Sequence, residues 1–172
     1  MFIGMLHFWA IELNVACISV PQKSIYKKYT RPSQPYIMAG IYIHIPFCRK
    51  ACSYCNFHFS TTLSQKEDML QAIAWELVHQ KEYLKGEKVE TIYFGGGTPS
   101  LLSAKELQGI FKIIEKNFGL QDVQECTLEA NPDDLTLPYL QSLKPTPINR
   151  LSIGVQSFFD SDLQFMNRVH NA

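Results

Sequence analysis

The stretch VETIYFGGGTPSLLSAKELQGIFKIIEKNFG, residues 89–119, decides the fold class. It begins with an apolar strand over residues 89–94 and continues with a glycine-rich loop. Ser103 and Glu106 then form the Ser-x-x-Glu pair of a capping box, which predicts the start of a helix. Apolar residues follow at helical spacing, and Gly119 predicts the helix end. The stretch is therefore one strand–loop–helix unit. The residues predicted to face the core are Leu107, Ile110, Phe111 and Ile114.

A similar unit precedes this stretch. Residues 41–45 form a short apolar strand that ends at Pro46, and a cysteine-rich loop follows. Ser64 and Glu67 read as a second capping box, and the helix is expected to end near Gly86. Its core-facing residues, at 3.6 spacing, are Leu70, Ile73, Ala74 and Leu77.

Two further units follow. Residues 126–130 form a third strand, followed by a short helix over about 136–143. Residues 150–156 form a fourth strand, and Asp160 or Ser161 caps the helix after it. Four strand–helix repeats predict an α/β protein with a parallel sheet and right-handed crossovers. The sheet is either an open doubly wound sheet or part of a (β/α) barrel.

Polar residues follow the strand ends of this pattern. Cysteines come after the first strand, glycines after the second, Glu129 ends the third and Gln156 ends the fourth. The carboxyl ends of parallel strands meet at one edge of an α/β sheet, where ligands bind. The sequence therefore predicts one site assembled from four successive strands.

The composition limits the function classes. The 172 residues carry 16 Lys+Arg and 16 Asp+Glu, so the formal net charge is zero. This balance argues against a strongly cationic nucleic-acid binder or a polybasic membrane protein, and we expect no nucleic-acid partner. With 46% hydrophobic residues, the chain can form a packed core of one domain, or at most two.

Three of the five cysteines lie within eight residues, which is a poor disulfide framework. Such clusters are more typical of metal or redox sites in a reducing compartment, so we expect a cytoplasmic protein. Cys48, Cys52 and Cys55 have the spacing C-x3-C-x2-C. Three thiolates can hold three corners of an iron–sulfur cube and leave one iron open for a substrate. The alternatives are three free thiols or a structural zinc, whose fourth ligand would be His44, His58 or Cys126.

The N-terminal segment is interpreted separately. Residues 1–20 are apolar but lack a basic start and are interrupted by His7 and Glu12, which fits neither a signal peptide nor a stable membrane insertion. Residues 21–37 read as a linker. We therefore expect 1–37 to be a poorly structured tail or a non-native extension, with a true start at Met38, and 38–172 to be the core domain.

The sequence resembles the radical S-adenosylmethionine (SAM) superfamily, whose signature is the cysteine spacing C-x3-C-x2-C. The resemblance runs from about residue 38 to the end and is closest to the oxygen-independent coproporphyrinogen III oxidase-like group. Four motifs match that group in order: Tyr42-Ile-His-Ile-Pro-Phe-Cys48, Gly95-Gly-Gly-Thr-Pro-Ser100, Glu129-Ala-Asn-Pro132 and Gly154-Val-Gln156. The resemblance implies a partial (β/α) barrel of the radical SAM type with about four βα units.

The resemblance also implies the cofactors. A 4Fe–4S cluster on the three cysteines would bind SAM through its amino and carboxylate groups. An electron from the cluster would cleave the sulfonium bond, giving methionine and a 5′-deoxyadenosyl radical. The residues that resemble family contacts to SAM are Tyr42, Gly96, Gly97, Thr98, Glu129, Gln156 and Arg168, the last two at a second SAM position. Without a ligand, Tyr42 would be a core residue, and Gly96, Gly97 and Thr98 would form a tight turn. Gln156 and Arg168 would then be ordinary polar residues of the surface.

Two branches of the group remain open. The heme chaperone (HemW-type) branch is favoured because the motif region begins almost at Met38, residues 1–37 do not resemble the oxidase N-terminal segment, and Arg168-Val-His170 resembles the chaperone's R-x-H. The alternative is a coproporphyrinogen III oxidase. His170 is a conceivable heme ligand, although a structural role is the simpler interpretation, and Tyr54 is expected to shield the cluster.

The resemblance implies partners and an incomplete chain. Heme or a porphyrinogen, an electron-donor protein and a heme-acceptor protein are the expected partners. Members of the group are about twice this length and contain a six-unit barrel, whereas this chain stops in the fourth unit. We therefore expect an N-terminal fragment. A non-catalytic heme- or metal-binding module is the second alternative.

Overall fold

The computed structural model describes residues 15–21 and 37–172. Within these ranges the strands form one five-stranded sheet in the order β1-β2-β3-β4-β5. β1 is antiparallel to β2, and the other neighbours are parallel. The strands are β1 (Val15–Pro21), β2 (Ile37–Ile45), β3 (Val89–Gly96), β4 (Glu125–Ala130) and β5 (Arg150–Ile153).

Helices connect the parallel strands. The α-helices are α1 (Lys66–His79), α2 (Ala104–Phe118), α3 (Leu137–Leu143) and α4 (Asp160–Phe165). Three short 3₁₀ turns lie between them, at Lys81–Leu84, Pro99–Leu101 and Pro132–Asp134. The predicted strand–helix repeats are thereby confirmed.

The strand order distinguishes between the two predicted sheet types. From β2 to β5 each crossover adds the next strand on the same side of the previous one. A doubly wound sheet would reverse direction at a switch point, whereas a (β/α) barrel continues in one direction. The four parallel strands are therefore an open arc of a barrel, as the resemblance implies.

The two faces of this arc have different roles because strand side chains alternate. On one face, residues such as Ile43, Phe94 and Leu128 are fully buried against α1 and α2. The other face carries Tyr42, Tyr93 and Glu129, and this is the interior side of the arc. The pairing of Tyr42 with Tyr93 places their side chains next to each other. The polar groups predicted at the strand ends therefore point away from the hydrophobic core.

One capping box is confirmed and the other is wrong. The Ser103 hydroxyl accepts from Glu106 N at 3.3 Å, and the Glu106 carboxylate accepts from Ser103 N at 2.7 Å. Helix α1, by contrast, begins one residue later than expected, with Gln65 as a cap that makes no side-chain bond. The Ser64 hydroxyl accepts a bond from the Thr62 hydroxyl instead. This local turn competes with capping, as short polar side chains commonly do.

Other predicted boundaries also shift. α1 ends at His79, and Gly86 follows the 3₁₀ turn after it, at a φ of +84°. The fourth strand ends at Ile153 rather than at residue 156, because Gln156 has a φ of +67°, which is incompatible with a strand. Neither Asp160 nor Ser161 caps α4. The Ser157 hydroxyl accepts from Phe159 N at 3.1 Å and donates to Asp162 at 2.7 Å.

Residues 1–37 fall mostly outside the described residues. Within that segment, Val15–Pro21 forms β1, paired from Val15 with Ile43 to Pro21 with Ile37. Val and Ile, which occur in this strand, favour the β conformation, and the expectation of a tail or a non-native extension stays a prediction for residues 1–37. In the described ranges, no helix is both long enough and apolar enough to cross a membrane.

Candidate functional site

The cysteine loop, residues 48–55, leaves the carboxyl end of β2. Its start is tied down by Ser60, which donates N–H to Pro46 O at 2.8 Å and accepts from Cys48 N at 3.0 Å. Cys55 N donates to Cys52 O at 3.2 Å, which closes a tight turn within the loop. Cys48, Cys52 and Cys55 are all free thiols and are half-buried. The loop therefore presents three unpaired sulfurs from one short segment.

The surroundings of Cys48 raise the pKa of its thiol. Burial raises the pKa of the Cys48 thiol, a hydrogen bond with Thr98 opposes the increase, and the charges of Cys55 and Cys52 add to it. A raised pKa means that the thiol is protonated in the metal-free chain at neutral pH. Since metals bind thiolates, loading the site would release protons.

The fold removes one of the three predicted fourth ligands of a closed zinc site. Cys126, one predicted fourth ligand, is fully buried in the hydrophobic core behind β4. No three His, Cys, Asp or Glu side chains in the described ranges converge as for a single ion. Three thiols around an iron–sulfur cube need not converge on one point, because each binds a different iron. Four cysteines are the usual ligands of such a cube, so three would leave one iron without a protein ligand.

The glycine loop after β3 packs directly against the start of the cysteine loop. Gly97 N donates to Ile45 O at 2.8 Å, and Thr98 N donates to Phe47 O at 2.7 Å. A Cβ atom at Gly97 would lie 2.6 Å from Phe47 O, so only glycine fits. Gly96 has a φ of +108°, which also favours glycine. The two loops therefore form one continuous rim.

Glu129 connects this rim to the interior face of the sheet. Its carboxylate accepts from Tyr93 OH at 2.7 Å and from Gly96 N at 3.1 Å. Tyr42 stacks on Tyr93 with ring centroids 6.0 Å apart, and its hydroxyl hydrogen-bonds His44 Nδ1 at 3.1 Å. Burial, followed by the charge of Glu129, raises the pKa of Tyr42. Tyr42 is therefore a neutral phenol beside an acid that faces the glycine loop.

Arg168 joins the last strand to the cysteine loop. One terminal nitrogen, Nη1, donates to Cys52 Sγ and to Tyr54 OH, both at 3.5 Å. The other, Nη2, donates to Asn131 Oδ1 at 2.7 Å and to Gly154 O at 2.8 Å. Its Nε is buried and has no hydrogen-bond acceptor. A buried donor without a partner is costly.

Gln156 lies beside Arg168 but is exposed. Its amide nitrogen is 3.0 Å from the position that a Cβ atom at Gly154 would take, and Arg168 Nη2 is 3.7 Å from the same point. The positive φ of Gln156 is unusual for a residue with a side chain, and such backbone strain is often stored at functional sites. The predicted site residues therefore meet at one rim, with Gln156 at its outer edge.

Two residues whose side chains link the loops of the rim were not among the predicted site residues. Asn131 donates from Nδ2 to Thr98 Oγ1 at 3.3 Å and accepts from Arg168, so it links the glycine loop to the arginine. Asp134 accepts from Ser100 Oγ at 2.7 Å and from Arg49 Nε at 2.8 Å, and its side chain is only 2% exposed. The signal available was the Asn-Pro-Asp-Asp run, residues 131–134, whose first two residues belong to the quoted motif Glu129-Ala-Asn-Pro132 but were not predicted to be site residues.

His170 has a structural environment. Its Nε2 donates to Val155 O at 3.0 Å, and its side chain is 7% exposed. Its Nδ1 lies 4.0 Å from Asp133 Oδ1, and neither atom has a hydrogen-bond partner. The imidazole is therefore held through Nε2 by the backbone of the segment that follows β5.

Comparisons with known proteins identify the family to which the chain is similar. The family model described as "Radical SAM superfamily" matches residues 42–172. "Heme chaperone HemW" of Haemophilus influenzae is 38% identical over 142 residues, covering 77% of this chain and 36% of the relative. The protein of the same name from Bacillus subtilis is 40% identical over 135 residues, with the same two coverages. The chain thus spans about a third of the length of these relatives.

Two other similarities extend the comparison. "Radical S-adenosyl methionine domain-containing protein 1, mitochondrial" of Danio rerio is 34% identical over 165 residues, 95% of this chain and 36% of the relative. Among solved structures, coproporphyrinogen III oxidase (HemN) from Escherichia coli, titled a radical SAM enzyme, matches with a TM-score of 0.68 and 34% identity. That match covers 76% of this chain and 30% of the oxidase.

Proposed function

The chain belongs to the radical SAM superfamily, whose general cofactors are a 4Fe–4S cluster and SAM, and from this premise we propose that Cys48, Cys52 and Cys55 hold that cluster. The support is three free thiols on one loop with no disulfide among them. When bound, the cluster supplies the electron for reductive cleavage of SAM. The residues of this chain supply the thiolates and a partly buried setting for them.

The SAM site in this proposal lies beside the cysteine loop and is lined by the loops after β3, β4 and β5. In this proposal the backbone of Gly96, Gly97 and Thr98 lines the ligand site, and the two glycines allow it to pack against His44 and against the backbone of Ile45 and Phe47. Glu129 supplies negative charge for an amino group. The unpartnered Nε of Arg168 supplies a donor for a carboxylate. Tyr42 and Gln156 complete the proposed set from the interior and outer sides of the rim.

One observation carries this assignment more than any other. Arg168 touches Cys52 at 3.5 Å, Asn131 at 2.7 Å and Gly154 at 2.8 Å, so its guanidinium connects the loops after three different strands. A side chain with this many bonds and one remaining buried donor is suited to recognise a carboxylate next to a thiolate-bound metal.

For the whole protein we propose a role in heme handling, as a heme chaperone. The support is that relatives at 38% and 40% identity are named heme chaperone HemW. Heme, an electron-donor protein and a heme-acceptor protein are the proposed partners, and the cytoplasm is the proposed location. An organellar compartment is the alternative that the mitochondrial name of the Danio rerio relative favours.

Coproporphyrinogen III oxidase activity is the second candidate, favoured by the structural similarity to HemN. A porphyrinogen would then replace heme as the ligand. A non-catalytic heme- or metal-binding module is the third candidate, and absence of 5′-deoxyadenosine formation with retained heme or metal binding would favour it.

Three assays on anaerobically reconstituted chain distinguish these functions. Heme addition should give a Soret band that saturates at a fixed heme-to-chain ratio, followed by transfer to an apo-heme protein. Coproporphyrinogen turnover without heme binding would favour the oxidase. Failure of both, with 5′-deoxyadenosine still formed from SAM, would refute both heme functions while leaving the cofactor assignment in place.

A further inference from the structure

The turn at the end of α4 contacts the cysteine loop at several points. We call residues 165–168 the clasp. Phe165 O accepts from Ser53 Oγ at 3.0 Å, and Met166 O accepts from Ser53 N at 3.2 Å. Asn167 Nδ2 donates to Ala51 O at 2.6 Å. These bonds hold the loop immediately before and after Cys52.

The clasp is fixed in place by its own backbone. Met166 N donates to Asp162 O at 2.8 Å, Asn167 N to Gln164 O at 3.0 Å, and Arg168 N to Leu163 O at 2.8 Å. Leu163 is 2% exposed and anchors α4 in the interior. The bonds from the clasp to the loop therefore start from an anchored element.

Asn167 has the backbone conformation that this contact requires. Its φ is +58°, in the left-handed region, which asparagine tolerates better than most residues. In that conformation its amide bonds a backbone carbonyl 116 positions earlier in the chain. Few other side chains combine a short amide donor with tolerance of this φ.

We propose that the clasp positions the cysteine loop for cluster binding, with Asn167 and Ser53 as positioning residues that do not touch the cluster. This inference rests on the proposed cluster site and adds the device that holds it. Because Arg168 leaves the same turn and bonds Cys52, one element sets both the path of the loop and the hydrogen bond to a ligand sulfur. Partners of metal ligands commonly tune a site in this way.

The test compares three variants of the full chain. Asn167→Gly keeps the positive φ without strain and removes the side chain together with its amide donor. Ser53→Ala removes the hydroxyl bond to Phe165. Lys85→Gly is the matched control, because Lys85 also has a positive φ, of 51°, but lies after Leu84, away from the loop.

The first measurement needs no metal. Trypsin cleavage after Lys50, an exposed residue in the loop, reports local opening of the metal-free chain. Loss of one net hydrogen bond should speed this cleavage about two- to tenfold in Asn167→Gly and leave Lys85→Gly unchanged. Equal rates in Asn167→Gly and wild type would overturn the proposal. If Asn167→Gly loses its cooperative thermal transition, Ser53→Ala decides by the same two outcomes.

The second measurement uses the reconstituted chain. We expect faster iron release to a chelator and an altered EPR spectrum of the reduced cluster in Asn167→Gly, but not in Lys85→Gly. Identical spectra and release rates would overturn the positioning role. If the wild-type chain takes up no cluster, the proposed function fails, and the cleavage comparison still decides whether the clasp holds the loop.

Discussion

Replacement of Gly97 by alanine tests whether the glycine loop and the cysteine loop form one rim. The new Cβ atom would lie 2.6 Å from Phe47 O and 2.9 Å from both Ile45 O and Phe47 N. Ordinary van der Waals contact begins at 3.4 Å, and all three atoms belong to the backbone. No side chain can rotate away, so the two loops must separate.

The expected cost follows from this overpacking. Steric insertion of a methyl group into a packed site destabilises by about 1–3 kcal/mol. For a chain of this size, each kcal/mol lowers the melting temperature by roughly 2–4 °C. We therefore expect a decrease of about 2–12 °C in Gly97→Ala. Affinity for SAM should also fall, because the loop proposed to receive it moves away from the cysteines.

Gly109→Ala is the matched control for this prediction. Gly109 lies in the exposed face of α2, and a Cβ atom there meets nothing within 4 Å. Alanine should stabilise the helix by about 0.5–1 kcal/mol. Differential scanning calorimetry of both variants, with SAM titration of the reconstituted chain, measures the effects. A Gly97→Ala variant that melts at or above the wild-type temperature would refute the close packing of the two loops.

Three further predictions concern separate parts of the structure. Glu129→Gln keeps one acceptor oxygen but places an amide NH₂ opposite either Tyr93 OH or Gly96 N. The affinity for SAM, measured by equilibrium dialysis, should therefore fall at least about tenfold. Unchanged affinity would contradict the role of the carboxylate. Ser103→Ala removes the capping box and should lower the free energy of unfolding by about 1 kcal/mol in a denaturant titration, and an unchanged midpoint would contradict it. Burial raises the pKa of the Cys126 thiol from 9.0 to about 12, so the folded state favours the protonated thiol. The stabilisation of the fold by this preference is complete below about pH 9 and is lost as the pH rises towards 12. Unfolding curves between pH 8 and 11 should show this decline, with a shallower slope in Cys126→Ala; equal slopes would show that Cys126 is not its source.

The fold was predictable where local signals agree with one another. Strand β3, the glycine loop and helix α2 combine an apolar run, a capping box and a terminal glycine, and the structure reproduces them with Ser103 and Gly119 as the two caps. Ser64 and Glu67 have the same Ser-x-x-Glu pattern, but the capping box predicted there was wrong. The Ser64 hydroxyl accepts a hydrogen bond from the Thr62 hydroxyl instead. Pattern alone does not reveal which of two nearby polar groups forms the bond.

The site was predictable as a set of strand ends but not as a network. Cysteines, glycines and Glu129 were placed at one rim because parallel strands end together. The contacts of Asn131, Asp134 and Asn167 depend on residues that are between 31 and 116 positions away in sequence. No local periodicity encodes such pairings, so they required the three-dimensional structure.

The most direct test of the cofactor assignment is EPR spectroscopy of the anaerobically reconstituted and reduced chain with and without SAM. We expect iron and sulfide in the ratio of a 4Fe–4S cluster and a spectrum whose g-values shift when SAM is added, because SAM would bind the iron that no cysteine holds. Replacement of Cys52 by serine should abolish this signal. A fully loaded cluster whose spectrum does not respond to saturating SAM, or a chain that binds only zinc, would contradict the account.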